Sequence, residues 1–207
     1  MTPRPDVSEE RKAQIYQAAL TCFNRKGYHR TTMDDIVAES GLSKGTLYWY
    51  FKSKKELFLA LFQEIMAQFG QAWESVVADE EASATDKLLA SLTLIRTKFE
   101  EMVPFFGVMM MEAWALTRHD EDVERLTREL YESYVGTVAR IVEEGVASGE
   151  FCTDSPPATA LVIMTLFDGI VMALGTALWT HDWNEVMDAA ETLVLRGLGV
   201  EGRRADG

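Results

Sequence analysis

Apolar residues recur every three or four positions along most of the chain, and this spacing predicts helices throughout. No stretch alternates apolar and polar residues for long enough to indicate a strand. Glycine, proline and capping residues interrupt the pattern repeatedly, so the expected fold is all-α with about nine helices. The predicted helices cover residues 8–26, a short pair within 31–51, and then 57–78, 87–102, 105–116, 121–148, 156–180 and 183–198.

The clearest local pattern lies in residues 31–51, where two short helical stretches are separated by a sharp turn. Thr32 and Asp35 have the spacing of a capping box at the start of the first helix. Gly41 supplies the permissive backbone for the turn, and Ser43 caps the second helix. The pattern is that of a helix-turn-helix, in which the second helix enters the DNA major groove.

The second of these short helices is expected to bury Leu47 and Phe51 and to direct polar and aromatic side chains elsewhere. A solvated helix rarely carries Tyr, Trp and Tyr in succession, which favours a contact surface. However, many small helical domains contain this geometry, and aromatic residues are more often core than contact. The stretch by itself therefore leaves DNA binding and a purely structural role open.

Neighbouring motifs extend the pattern into a family resemblance. Residues 8–61, and above all the runs GYHRTT, IVA, GLSKGTLY and YFKSKKEL, resemble the DNA-binding region of the TetR family of repressors. The resemblance implies a homodimeric transcriptional regulator that binds a palindromic operator in double-stranded DNA and responds to a small-molecule effector. It also implies a helix-turn-helix DNA-binding domain at residues 1–55, with a flexible arm at 1–7, an effector-binding and dimerisation domain at 56–198, and a disordered tail at 199–207.

The resemblance and the local pattern assign the same DNA-binding residues. Lys44, Thr46 and Tyr48 are placed to reach base edges, Gly45 to permit close approach, and Lys52 and Lys54 to add general electrostatic attraction. Tyr50 either contacts phosphate or packs between helices, and Trp49 either packs on the fourth helix or lies against sugars. The full predicted DNA-binding set is Thr31, Thr32, Ser43, Lys44, Gly45, Thr46, Tyr48, Trp49, Tyr50 and Lys55.

Charge is distributed unevenly and supports this assignment. Residues 1–55 hold ten basic and six acidic side chains, whereas the whole chain has a net charge of −13. A basic N-terminal quarter on an acidic body places the phosphate-binding surface near the N-terminus.

The start of the chain lacks the apolar segment of a secretion signal, so a cytoplasmic protein is expected. Cys22 and Cys152 are too few for a disulfide framework. The apolar stretch 158–180 is divided by Asp168 into runs shorter than the roughly 20 residues of a membrane span, so no membrane helix is expected.

The stretch 156–180 is apolar nearly all round, which indicates that both of its faces are covered. A second protomer is the expected cover, with 156–180 and 183–198 forming a homodimer interface. The alternative is a wholly intramolecular core.

The middle of the chain is rich in methionine and aromatic residues, which adapt to apolar ligands but are more often core than pocket. A mostly apolar effector, neutral or cationic, is expected there. Asp168 either holds its polar end or, more in keeping with the family pattern, has a structural partner such as Thr165. The candidate pocket residues are Phe99, Met102, Phe105, Phe106, Met109, Met110, Trp114, Met164, Phe167 and Asp168.

Motifs for catalysis are missing from the sequence: there is no phosphate-binding loop, dinucleotide fingerprint, zinc-protease motif or nucleophile elbow. No enzymatic activity, cofactor or metal site is therefore expected. Glu112 and His119 share a helix face, but they fit solvated polar residues better than metal ligands. The rival hypothesis is a helical ligand-binding or enzymatic protein whose helix-turn-helix is structural.

Overall fold

The computed structural model describes residues 7–175 and 181–200, including every side chain in them except those of residues 7, 99–108, 174 and 175. These residues hold eight helices and no strand, in agreement with the predicted all-α class. In chain order the helices are α1 (Val7–Lys26), α2 (Met33–Ser40), α3 (Lys44–Tyr50), α4 (Lys54–Val77), α5 (Ala84–Thr117), α6 (Glu121–Ser148), α7 (Pro156–Gly175) and α8 (Trp183–Gly197).

The chain forms two compact units, Met1–Ala67 and Gln68–Gly207. Helix α4 begins in the first unit and ends in the second, so the boundary between them falls inside a continuous helix. The predicted arm lies outside the described residues up to residue 6, and the predicted tail does so from residue 201. Gly199 and Val200 are described, and their amides donate to carbonyl groups of α8.

The first unit is built around an apolar stripe of α1, and all of its members are buried: Ile15, Ala18, Ala19, Cys22 and Phe23. An aromatic cluster of Phe23, Tyr28 and Phe58 joins α1 to α4, with ring centroids 4.9 to 6.0 Å apart. Leu47 of α3 and Ile36 of α2 close the core and are fully buried. This packing leaves the rest of α3 outside the core.

The second unit packs α5, α6 and α7 against one another, with α8 against α5 and α7. Trp73 from the end of α4 stacks on Tyr134 of α6 and donates its indole proton to Ser91 Oγ at 2.8 Å. Burial raises the pKa of Tyr134 to about 12. Lys87 near the start of α5 and Glu144 near the end of α6 form an ion pair at 2.6 Å, which ties these two helix ends together.

Glu150, just after α6, covers the exposed amides at the start of α5. Its carboxylate accepts from the backbone amides of Ala84 at 3.2 Å and Thr85 at 3.0 Å, and from the Ser148 hydroxyl at 2.9 Å. Burial acts to raise the pKa of Glu150, but these hydrogen bonds outweigh it and bring the pKa to about 2. The carboxylate thus satisfies amides that a helix start leaves without partners.

The structure corrects one boundary: the helices predicted at 87–102 and 105–116 are the single helix α5. Proline inside a helix removes one backbone hydrogen bond and costs about 3 kcal/mol, which is why Pro104 suggested a break. Because α5 packs against three other helices of its unit, tertiary contacts offset that local cost. The prediction of two separate helices gave too much weight to the local effect of Pro104.

Helix α7 has the length and composition of a membrane span over Pro156–Ala173, and a third of that window is buried. It packs against α5, α6 and α8 of the same unit. The helix is therefore an element of this helical domain, as expected from Asp168 in its interior.

Candidate functional site

The turn between α2 and α3 has the predicted geometry. Thr32 caps α2 and shares a complete capping box with Asp35, and Gly41 ends the helix with φ +67°. Ser43 caps α3 by accepting from the Thr46 amide at 3.0 Å. The ammonium of Lys26, 2.6 Å from Asp35, and hydrogen bonds from Thr32 lower the pKa of Asp35 to about 2. The capping box and Lys26 thus fix the start of α2, while Gly41 and the Ser43 cap form the turn into α3.

Helix α3 buries Leu47 completely and exposes most of its remaining surface. Lys44 and Gly45 are exposed, Thr46, Tyr48 and Tyr50 are half-buried, and Trp49 is 69% exposed. The predicted packing of Trp49 on α4 is not what its exposure indicates, and its ring contacts Tyr50 edge-on at 4.7 Å. Most of the indole surface is therefore accessible to a partner.

Lys44 is held above the exposed face by a neighbour in α2. Its ammonium lies 2.7 Å from Asp34 and 5.9 Å from the centre of the Tyr48 ring. The hydrogen bond to Asp34 raises the pKa of Lys44. Lys44 and Tyr48 therefore lie together on the exposed side of α3.

No steric contact with the described residues requires glycine at position 45. A Cβ atom built there would meet only Ser43 Oγ, at 3.7 Å, which is ordinary contact distance. Glycine inside a helix costs roughly 1 kcal/mol relative to alanine. The small residue is consistent with the predicted close approach of DNA to the outer face of α3.

Tyr50 faces α1. Its hydroxyl donates weakly to Ser8 Oγ at 3.4 Å, and its ring lies 6.4 Å from that of Phe51. These contacts agree with the predicted packing of Tyr50 between helices, and the phosphate contact stays a prediction.

The predicted phosphate contacts fall into two groups. Thr32 is exposed and Lys55 half-buried, and both stay candidates. Thr31 is 1% exposed, and its hydroxyl is within hydrogen-bonding distance of the carbonyl oxygens of Gly27 at 2.8 Å and Cys22 at 3.1 Å. The structure thus gives the Thr31 side chain a role in holding the α1–α2 connection, in place of the predicted phosphate contact.

Two lysines predicted to act by general electrostatics have specific structural partners. Lys54 Nζ donates to the carbonyl oxygens of Tyr28 at 2.6 Å, Thr31 at 2.8 Å and His29 at 3.2 Å. Lys52 Nζ donates to the last carbonyls of α3. Both sets of hydrogen bonds depend on the folded backbone, so no sequence motif predicted them.

Four predicted pocket residues, Phe99, Met102, Phe105 and Phe106, lie outside the described side chains. Four others, Met109, Met110, Met164 and Phe167, are buried in the second unit. The side chains that the structure describes also line a cleft of about 320 Å³, which we call the α5–α6 cleft and which includes Trp114 of the predicted set. The predicted pocket itself stays a prediction. The cleft is lined by Trp114, Thr117, Glu124, Thr127, Arg128 and Tyr131.

Sequence reasoning missed the α6 side of this cleft. Glu124, Thr127, Arg128 and Tyr131 follow one another at helical spacing, which defines a common face of α6. A polar stripe of this kind is typical of a solvated helix surface. Only the packing of α5 beside it turns the stripe into the wall of a cleft.

A second concave region lies between α7 and α8. Its volume is about 490 Å³, and its lining includes Val162, Leu166 and Leu193. Val162 and Leu193 are 67% and 64% exposed, and Leu161 beside them is also exposed. We call these three side chains the α7–α8 apolar face. Singly exposed apolar residues are common, but large exposed ones that line the same groove, as Val162 and Leu193 do, indicate an interaction surface.

Comparison with known proteins assigns the chain to a family. The model of bacterial regulatory proteins of the tetR family matches residues 15–61, which span α2, α3 and the turn between them. The YfiR transcriptional regulator of Bacillus subtilis (strain 168), of helix-turn-helix type, is 30% identical over 184 residues, or 83% of this chain and 84% of YfiR. The chain belongs to the TetR family. It is a DNA-binding transcriptional regulator.

The C-terminal part of this TetR-family regulator matches the model of the BetI-type transcriptional repressor C-terminal domain over residues 106–198. FadR of Bacillus subtilis, solved with stearoyl-CoA, superposes with a TM-score of 0.75 at 24% identity, covering 89% of this chain and 98% of FadR. A regulator from Saccharomonospora viridis, solved with choline, superposes with a TM-score of 0.80 at 19% identity, covering 90% and 96%. These two likenesses confirm the TetR fold.

Asp168 stands out in the second unit of this TetR-family chain. Its Oδ2 atom is buried and accepts no hydrogen bond from any described residue. Burial raises the pKa of Asp168 to about 6, and the hydroxyl of Tyr131 acts against that rise. Thr165, the partner considered for it, donates its proton to the Leu161 carbonyl at 2.8 Å. The carboxylate is thus only partly satisfied.

Asp168→Asn is expected to stabilise the effector-free protein at pH 7.5, on the order of 1 to 3 kcal/mol. Because the folded-state pKa lies above the usual 3.8, the folded protein binds more protons between about pH 4 and 6. The wild type therefore loses stability relative to the variant as pH rises through that window. Urea unfolding of both proteins at several pH values measures the difference, and a gap independent of pH would contradict this account.

Proposed function

We propose that the protein is a homodimeric repressor that binds a palindromic operator through the face of α3 from Ser43 to Phe51 and is released by a small, mostly apolar effector. The exposed Trp49 on a helix that buries only Leu47 among its own residues is the observation that carries the DNA-binding assignment. In this proposal residues 1–55 bind DNA, in the bacterial cytoplasm, and residues 56–198 bind the effector and form the dimer.

Individual roles follow from exposure and chemistry. Lys44, Thr46 and Tyr48 are proposed to read base edges, where lysine, threonine and tyrosine can donate to or accept from bases. Trp49 is proposed to lie against the sugar–phosphate backbone. The proposed phosphate ligands are Thr32, Tyr50 and Lys55, and Ser43 and Gly45 let the start of α3 come close.

A dimer is needed because one such module makes too few base contacts to find a site in a genome. The α7–α8 apolar face supports residues 156–180 and 183–198 as the interface. A symmetric interface buries the same surface of each protomer, so the two recognition helices would address an inverted repeat. Their spacing would match successive major grooves, about 34 to 36 Å apart.

The effector is proposed to shift the population toward a form whose recognition helices have the wrong spacing. Helix α4 belongs to both compact units, which makes it the proposed carrier of the coupling. Such coupling is typically about 1 to 3 kcal/mol, enough to weaken the affinity for DNA roughly tenfold or more.

Selection of random duplex DNA by the purified protein at moderate salt tests the proposal. We expect an enriched inverted repeat, whose half-site spacing reports the geometry of the dimer. Enrichment of a single half-site would contradict the dimer, and no enrichment by ligand-stripped, refolded protein would contradict DNA reading by α3.

Tyr48→Ala is expected to weaken operator binding by about 1 to 3 kcal/mol, the usual effect of removing a base contact. Tyr48 is half-buried on the outer side of α3, so the variant should fold normally. Fluorescence anisotropy with the selected operator and with a scrambled duplex measures the effect. A loss on the operator alone identifies base reading, whereas an equal loss on both duplexes would make Tyr48 a phosphate contact.

A further inference from the structure

The α5–α6 cleft contains a buried polar group without a partner. Thr127 is 9% exposed, and its Oγ1 atom makes no hydrogen bond to any described residue. Buried polar groups in folded proteins are nearly always hydrogen-bonded, so an unpartnered one in the wall of a cleft is a position at which a ligand group can bind. The cleft, at about 320 Å³, lies at the lower end of the range of ligand pockets.

Tyr131 connects this cleft to Asp168. It follows Thr127 by one helical turn and lines the cleft, and its hydroxyl lies near Asp168 and Thr165, whose presence influences the pKa of Tyr131. Because Thr165 gives its proton to Leu161, the Tyr131 hydroxyl can donate to the Asp168 carboxylate. The phenolic oxygen then retains acceptor capacity toward the cleft.

The charges around the cleft favour a cation. Arg128, its basic lining residue, is paired with Glu124 one turn earlier on α6. The Asp168 carboxylate behind Tyr131 has no ion pair with any basic side chain that the structure describes. Trp114 and Tyr131 add aromatic rings, whose faces attract cations. Arg128 is the one basic side chain among the described lining residues, so an anionic group in the cleft would meet the Asp168 charge with only this already paired cation to offset it.

We propose that the α5–α6 cleft binds the ammonium group of a protonated organic amine with a compact apolar body. The ammonium donates to Thr127 Oγ1 and to the Tyr131 hydroxyl, and Asp168 supplies the counter-charge through its hydrogen bond with Tyr131. The inference rests on the proposed function, because it specifies the chemistry of the effector. The shared fold does not determine the chemical class of the ligand, because one structural neighbour was solved with an acyl-CoA and another with choline.

Three matched probes separate the possibilities: 4-phenylbutylamine, 4-phenylbutanol and 4-phenylbutyrate, titrated calorimetrically into the full-length protein at pH 7.5. We expect the amine to bind about tenfold or more tightly than the alcohol, and the carboxylate most weakly, because hydrogen bonds to charged groups are the stronger ones. Equal affinities for amine and carboxylate, or no saturable amine binding in the millimolar range, would overturn the proposal.

Asp168→Asn and Thr127→Val identify the site. Each should weaken the amine about tenfold while changing affinity for the alcohol by less than about threefold. Tyr131→Phe should weaken the amine in the same way. If Asp168→Asn alters dimerisation and leaves amine affinity unchanged, Asp168 belongs to a subunit contact and the proposal fails.

Operator binding by the same proteins distinguishes an error in the ligand assignment from an error in the operator-binding proposal. If the wild type and Asp168→Asn bind the selected operator equally but show no preference for the amine, only the ligand assignment is wrong. If the amine binds with the expected preference but no duplex is selected, the cleft stands as a cation site and the operator-binding proposal is wrong.

Discussion

Val162→Glu is expected to convert the proposed dimer to a monomer and to weaken operator binding by about 10²- to 10⁴-fold, the factor gained by linking two binding modules. Val162 is 67% exposed on one protomer and lies beside Leu161 and Leu193. In a symmetric interface the substitution buries one carboxylate from each protomer. Burying an unpaired charge costs several kcal/mol, which exceeds what the lost valine contacts contributed.

Sedimentation velocity over a range of protein concentrations measures the oligomeric state, and anisotropy with the selected operator measures the affinity. Val146→Glu is a matched control, because Val146 is another exposed valine, 37% exposed, but lies on α6. The control should stay dimeric and bind the operator normally. A Val162→Glu protein that sediments as a dimer would remove this part of α7 from the interface.

Lys54→Met is expected to destabilise the connection between α1 and α2 by about 2 to 4 kcal/mol. The Lys54 ammonium donates to three backbone carbonyls at 2.6 to 3.2 Å and lies 4.3 Å from the centre of the Tyr28 ring. Methionine keeps the apolar stem but leaves these carbonyls without their charged donor. Hydrogen exchange of the amides in α2 measures the free energy of local opening.

The neighbouring Lys55→Met is the control for Lys54→Met, since it removes the same charge one position later. We expect it to lower operator affinity, to reduce the salt slope by about 0.9 for one lost phosphate contact, and to leave α2 exchange within about 1 kcal/mol of wild type. Equal loss of protection in both variants would contradict the structural role assigned to Lys54. An unchanged salt slope in Lys55→Met would remove Lys55 from the phosphate contacts.

The helix-turn-helix could be predicted because its determinants act over three or four residues. Each of its capping groups satisfies a neighbouring backbone group: Thr32 with Asp35, Gly41 alone, and Ser43 with Thr46. The same holds for Asp120 and Asp182, which cap α6 and α8. Local hydrogen bonds of this kind do not depend on the rest of the fold, so the residue types and their spacing suffice.

Residues whose partners are distant in the chain could not be assigned in this way. Lys54 and Lys55 are indistinguishable in the sequence, yet Lys54 donates to carbonyls 23 to 26 residues earlier. Thr31 has the character of a phosphate ligand, but its hydroxyl lies within hydrogen-bonding distance of Cys22 O. Which side chain faces the core is decided by the packing of α1 against α2 and α4.

The sequence by itself determined the helical class, the caps, the recognition helix and the basic N-terminal quarter, because periodicity, short-range hydrogen bonds and charge are properties of neighbouring residues. The tertiary structure alone decided that α5 continues through Pro104, that a polar stripe on α6 lines a cleft, and that Tyr131 lies beside Asp168. Each of these depends on free energy gained between helices, which outweighs local preference only once the chain is packed.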